Sequence, residues 1–380
     1  MLWFSYSVDM GLNAGKASLI LLSIGIIVLL LLGCIAPAQT AKEYKIGALV
    51  PLTGNYATIG NNVKNGMDLA EKDIEANKGV SLSIIYEDVC LPKDTVSAFN
   101  KLEGLDKIDI LGASFCIIGF VPVMPLAEEK KIISLSIAAS PDMMLDKNYV
   151  FTLNKSIKSD AFDMASYAVR DLNAKTASVI FYNTQLGSDY NLHLSEDFAS
   201  LGGKILSTHV TELDKADYRT EIAQIKNSGA EVVYIIQLAN SLGLFLKQSK
   251  ELGLSAIIIS QSTAEDPSVI SSAQGGAEGM IISSSSPKIT TPQISAFSSE
   301  YQKAFGKSPD VLAAIAYDSL MLEVSALNKC GKDVLCMRNE FSSIKNYSGA
   351  SGLITMGADG STQREPNFKI VKNGEFVQIE

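Results

Sequence analysis

Histidine is nearly missing from this chain of 380 residues, which holds only His193 and His209, and tryptophan occurs once, at Trp3. With so few imidazoles a Ser/His/Asp set has little to draw on, and a zinc site would have to rest on cysteine alone. The one close cysteine pair, Cys330 and Cys336, has a C-x5-C spacing that matches no common zinc pattern. There is also no G-x-S-x-G elbow, P-loop, G-x-G-x-x-G turn or H-E-x-x-H helix, so the compact catalytic and nucleotide-binding signatures do not apply. Positive charge is scarce: 32 Lys and Arg stand against 41 Asp and Glu, a net charge of -9. No Lys/Arg cluster or basic helix face occurs, and phosphate binding needs such a stripe, so nucleic acid is not an expected partner. No enzyme, cofactor or metal is expected.

Apolar residues are plentiful, at 47%, enough for sizeable cores in two or three compact domains. The longest apolar run comes first. Ala17 to Leu32 follows Lys16 and ends in Leu31, Leu32, Gly33 and Cys34, which resembles the lipobox of bacterial and archaeal lipoproteins. That likeness implies a leader over residues 1–33, cleaved before Cys34, whose thiol would carry the lipid. An uncleaved helix is the alternative anchor, since the run nearly spans a bilayer. Either way the rest of the chain is expected outside the cytoplasm, at the outer face of the cytoplasmic membrane. Met10 is an alternative start, because residues 1–9 add nothing that a leader needs. Setting Cys34 aside leaves Cys90, Cys116, Cys330 and Cys336, an even number suited to disulfides in an oxidising compartment, with three connectivities and local pairing the economical one.

From Lys42 onward, strand and helix patterns alternate. Ile46 to Val50 is a short β-branched run, Pro51 to Gly60 is a loop of turn formers, and Ile59, Val63, Met67, Ala70 and Ile74 then form one helical stripe. Strands follow at Leu82–Tyr86, Ile108–Leu111, Ile132–Ser136 and Tyr149–Leu153. A second series occupies Ala177–Tyr182, Ile205–Val210, Glu231–Leu238, Ala256–Ser260 and Met280–Ser283, with helical segments between the strands. Such alternation gives parallel sheets with helices on both faces, and the series is too long for one open sheet. Polar or small-residue stretches at Asn154–Ser159, Ser283–Pro292 and Tyr347–Gly352 provide three crossings between two lobes. The expected fold is therefore two interleaved three-layer α/β lobes, with mainly parallel sheets and a three-strand hinge. Lobe 1 is expected over 42–156 and 287–348, lobe 2 over 157–286 and 349–380.

Several of these stretches carry a resemblance. IGALVPLTGNYATIGNNVKNGMDLAEKDIEA from Ile46, YEDVCLPKDT, ILGASFC, PVMPLAEEKKIISLSIAASPDM, AYDSL and YSGASGLITMGADG are similar, in this order, to type I periplasmic binding proteins of the leucine/isoleucine/valine-binding group. The resemblance covers Lys42 to Glu380. It implies a monomeric substrate-binding subunit of an ABC importer that closes two lobes on a small molecule and meets permease subunits in the membrane. It also implies a disulfide between the loops holding Cys90 and Cys116, leaving Cys330 with Cys336. Ligand-sensing ectodomains of membrane-anchored receptors share these lobes and are the alternative role.

The ligand positions depart from the family's amino-acid pattern. Hydroxyls that hold a ligand carboxylate fall after the strands at Ile110 and Ile133, where this chain reads Cys116, Ile117, Ile118 and then Ile137, Ala138, Ala139, with Ser140 one step late. The aromatic clamps fall near Leu186 and Leu238, and the acid that takes an ammonium near Gln261. An ammonium buried without a carboxylate loses a charge-assisted bond of about 1.5 to 3 kcal/mol, so the expected ligand is amino-acid-like or more apolar. The candidate ligand residues are Asn55, Tyr56, Cys116, Ile117, Ile137, Ala139, Ser140, Leu186, Leu238 and Gln261, with Asn240 and Thr184 helping to orient the solute. Tyr317 and Asp318 of AYDSL are expected to serve helix packing.

Overall fold

The structure, a computed structural model, describes residues 3–5, 42–78, 80–138, 140–213 and 215–380, and the backbone only at 55, 77 and 78. Cys34, the apolar run before it, Ala139 and the Asn55 side chain thus lie outside what is described. Residues 43–380 form one compact unit built on two large sheets. The strands of the first are β1 (Lys42–Leu49), β2 (Val80–Glu87), β3 (Ile110–Ser114), β4 (Ser134–Ser136) and β5 (Val150–Thr152). The second has β6 (Thr176–Tyr182), β7 (Lys204–Thr211), β8 (Val232–Ile236), β9 (Ile257–Ser260) and β10 (Ile281–Ser283). A small third sheet holds β11 (Tyr347–Gly349), β12 (Gly352–Met356) and β13 (Thr362–Gln363), and the chain ends in the hairpin β14 (Phe368–Lys372) and β15 (Glu375–Gln378).

The two large sheets are wound alike. The first has the order β2-β1-β3-β4-β5; the second runs β7-β6-β8-β9-β10, extended at its far edge by β14 and β15. The pairings from β1 through β3 and β4 to β5 are parallel, as are those from β7 through β6, β8 and β9 to β10, and the terminal hairpin joins antiparallel. The central strand β8 (VVYII) is apolar throughout because both of its faces are covered. In β8, Val232, Tyr234 and Ile236 enter one core of the second lobe, and Val233 and Ile235 enter the other. In the first lobe Ile110 and Leu111 divide between two cores in the same way, so period-two alternation makes each lobe three layers thick.

Val63, Met67, Ala70 and Ile74 of the expected stripe are fully buried in the first core. The stripe belongs to the Ala57–Lys78 helix, which packs against the Val311–Cys330 helix. Gly66 makes this approach feasible, since a Cβ there would come within 2.1 Å of the Ala313 carbonyl oxygen. Tyr317 lies on that second helix and donates to Asp73 over 2.8 Å.

Three segments cross between the lobes, after β5, after β10 and before β14. They are bonded to one another: Ser285 Oγ donates to Asn154 Oδ1 at 3.2 Å, Ser284 N to the Asn367 carbonyl at 2.8 Å, and Asn367 Nδ2 to the Ser286 carbonyl at 2.8 Å. The last crossing lies later than the sequence suggested. Ile354 and Met356 sit in the core of the first lobe, and Thr152 bridges to Ser361. The expectation that lobe 2 resumes at 349 is corrected accordingly, and the return comes near Arg364. The small residues of YSGASG mark a turn folded onto Asp318, not a crossing.

Disulfides join Cys90 to Cys116 and Cys330 to Cys336, with Cα separations of 5.2 and 5.6 Å. Under the first sheet, Glu323 is wholly buried beside Gly112, where a Cβ would meet its carboxyl at 2.4 Å. It accepts from Ser319 Oγ at 2.5 Å and from the Ala113 N–H, and burial pushes its carboxyl up to about 7. The folded state therefore favours the proton, and stability falls as pH rises from the ordinary carboxyl range through about 7.

Denaturant titrations at pH 4.5 and 8 are expected to show a loss of roughly 3 kcal/mol that Glu323→Gln abolishes; an equal loss in both proteins would mean that Glu323 is already ionised in the fold. From chain entropy, Cys90→Ser with Cys116→Ser should cost about 3 to 4 kcal/mol and Cys330→Ser with Cys336→Ser about 2. A reversed order in the same titrations would show that loop length does not govern these bridges.

Candidate functional site

In open α/β sheets a ligand crevice forms beyond the carboxyl ends of strands, where the winding order reverses. Here the reversal falls between β1 and β3 in one lobe and between β6 and β8 in the other. The loops leaving these strands, with those after β4 and β9, form the candidate site.

In the first lobe, the loop after β1 is held by Asp88, which accepts from Leu52 N at 2.7 Å, Thr53 N at 3.1 Å and Thr53 Oγ1 at 2.6 Å. These bonds, with the Thr53 hydroxyl foremost, keep the Asp88 carboxyl below its usual range. Its backbone donors are thereby engaged, and Tyr56 is presented at the lip, 41% exposed. The loop after β3 starts from a bulge. Ala113 has φ of 34°, a left-handed conformation that the Glu323 contact holds in place, and the β3–β4 register shifts between Leu111 and Ser114. Beyond it Cys116 is buried in its bond to Cys90, Ile117 is half-buried and Ile118 is 54% exposed. After β4, Ile137 lies entirely in the first core and offers no surface to the crevice. Ser140 is fully buried, donates its N–H to the Lys155 carbonyl at 3.3 Å and accepts from Ile157 N at 2.9 Å. Its hydroxyl has no hydrogen-bond partner among the described residues.

In the second lobe, Tyr182 ends β6 and Asn183 is exposed beyond it. Thr184 caps the following Gln185–Ser200 helix by accepting from Gly187 N at 3.3 Å. Leu186 in the first turn is half-buried against the second-lobe core. After β8, Leu238 is 39% exposed and Asn240 lies open, whereas Gln237 is buried, donating to Thr211 Oγ1 at 2.7 Å and accepting from Tyr218 Oη at 3.3 Å. Gln261 after β9 turns inward as well. Its Nε2 donates to the Gln237 carbonyl at 3.1 Å and to Thr263 Oγ1 at 3.0 Å, and its Oε1 accepts from Ser260 Oγ at 2.9 Å.

Tyr56, Ile117, Ile118, Leu238 and Asn240 thus keep surface at the strand ends, while Ile137 and Gln261 are enclosed. Tyr182 was missed by sequence reasoning. Burial raises its hydroxyl well above the usual range, Thr184 opposes that through a hydrogen bond, and the Tyr56 hydroxyl is near enough to add to it. Both tyrosines thus belong to the strand ends, and the sign of Tyr182 in the sequence was an aromatic on the last residue of a strand. With Thr184, Asn183 and Asn240 they offer neutral hydrogen-bonding groups among apolar side chains, a setting for a small solute of low charge.

Comparison with known proteins agrees with this architecture. The sequence pattern of the periplasmic binding protein family matches residues 43–372. An amino acid binding protein of Pseudomonas aeruginosa is 25% identical over 295 residues, 75% of this chain and 78% of that protein. The structure of a leucine binding protein from Thermotoga maritima superposes with a TM-score of 0.80 at 21% identity, covering 89% of this chain and 98% of that one. A benzoate-bound solute binding protein of an ABC transporter from R. palustris gives 0.76 at 18% identity, covering 89% and 95%. Two alike lobes, three linking segments and a family pattern that runs through both make this chain a member of the periplasmic binding protein family, in its type I fold.

Proposed function

We propose that this protein captures a small solute between its lobes outside the cytoplasm and delivers it to the permease subunits of an ABC importer, as a binder and not an enzyme. The observation that carries the reading is the pairing of two equally wound sheets whose reversal points are joined through three bonded crossings, an arrangement suited to hinge closure. Relatives named for amino acids and a neighbour holding benzoate support a small carboxylate-bearing solute. The inward commitment of Gln261 and the exposed Leu238 favour one more apolar than an amino acid. Cys34, lipidated after cleavage of the leader, would hold the protein at the membrane. Tyr56, Ile117, Ile118, Leu186 and Leu238 are the proposed contacts.

A thermal-shift screen of amino acids, short amides and aromatic acids tests this, since a ligand at 100 times its Kd adds about 2.7 kcal/mol to folding stability. Aromatic or aliphatic acids should raise the Tm, and Tyr56→Ala should reduce that rise. Micromolar calorimetric binding of leucine or valine would overturn the apolar preference, and no shift with any class would count against solute capture.

A further inference from the structure

A polar contact joins the lobes through residues that are not among the proposed solute contacts. Asp142 opens the short Asp142–Met144 turn that follows β4 in the first lobe. Its backbone N–H donates to Asp189 Oδ2 at 3.2 Å, and its carboxylate Oδ2 accepts from His193 Nε2 at 2.8 Å. Asp189 and His193 belong to the second lobe, on the Gln185–Ser200 helix. Gln185 Nε2 donates to Asp189 Oδ1 at 2.7 Å and so fixes that carboxylate. Residues 185, 189 and 193 recur every four positions and share one helix face. Asp189 and His193 are both nearly buried, although such polar groups are rarely enclosed without a partner.

Asp142 also stands next to the pivot. Two residues before it, Ser140 exchanges backbone bonds with Lys155 and Ile157 in the first crossing segment. A small rotation about the crossings moves the turn little, whereas a large one breaks both bonds together and leaves Asp189 and His193 to water. A contact that is either made or broken as a unit can hold a hinge at one separation and release it to another.

We propose that Asp142, Asp189 and His193 form an interlobe clasp, with Gln185 as its brace, and that these positioning residues set the balance between the clasped and the separated lobes. The clasp acts on the lobes themselves, so it stands whatever solute is captured. The chemistry also suits the sparse histidine of this chain, because an imidazole N–H is a short, rigid donor that meets a carboxylate without the rotamer freedom of lysine.

The test is single-molecule energy transfer on the full-length protein in detergent micelles. Dyes are attached through azide-bearing residues introduced at the exposed Ser97 and Ala223, one in each lobe. His193→Ala and Asp142→Ala should each shift the population toward longer interlobe distance by on the order of tenfold. His193→Gln, which keeps an amide Nε2–H at a similar reach, should restore the parental distribution. Tm values within a few degrees of the parent identify the variants whose distances are compared. A distance distribution unchanged in a folded Ala variant, or a folded His193→Gln that behaves as His193→Ala, would overturn the proposal.

Discussion

A buried guanidinium must find acceptors within the fold, and this requirement organises the base of the hinge. Arg364 donates to the Ser351 carbonyl at 2.6 Å, to Ser351 Oγ at 3.0 Å and to the Leu153 carbonyl at 3.0 Å. Asp318 faces the same turn, accepting from Ala350 N and Ser351 N at 2.7 Å and from Ser351 Oγ at 2.6 Å. Burial pulls the guanidinium below its ordinary value and pushes the carboxyl above its own, and each charge opposes the shift in the other. Shared bonds to Ser351 thus link the first crossing, the third crossing and the long core helix. Removing either side chain would leave groups of this turn without their partner away from water, a larger cost than losing a surface pair.

The same logic of satisfied polar groups shapes the faces that a solute meets. In the second lobe Gln237 spends its amide on Thr211 and Tyr218, and Gln261 spends its own on Thr263 and the Gln237 carbonyl. They close the strand ends with a neutral network where an acid could otherwise receive an ammonium. In the first lobe Asp88 occupies the donors of the β1 loop, the Cys90–Cys116 bridge anchors the β3 loop, and Glu323 secures the bulge beneath it. Tyr56, Ile118 and Leu238 are left as open side chains on rigid supports, and such supports lower the entropy lost when a ligand is enclosed.

Much of this was legible in the sequence because it rests on local periodicity. The stripe from Val63 to Ile74, the apolar β8 and the alternation of strand and helix follow from spacing alone, and helical and strand geometry turn spacing into a buried face. The crossings at Asn154 and Ser284 were marked by polar, small-residue stretches. YSGASG was misread, since the same composition serves a linker and a tight turn packed on a buried Asp318. Ile137 and Gln261 lay correctly at strand ends, yet their direction depended on partners far along the chain. The meeting of Asp142 with His193 leaves no trace in spacing.

By itself the sequence determined the class of fold, the number of lobes and the kinship of the chain, because hydrophobic burial acts on every residue and repeats with the period of each element. Tertiary structure alone decided where the last strand returns, which strand-end residues face the crevice and which charges join the lobes. Those outcomes hang on single hydrogen bonds between residues tens to hundreds of positions apart, whose geometry exists only once both lobes have folded around them.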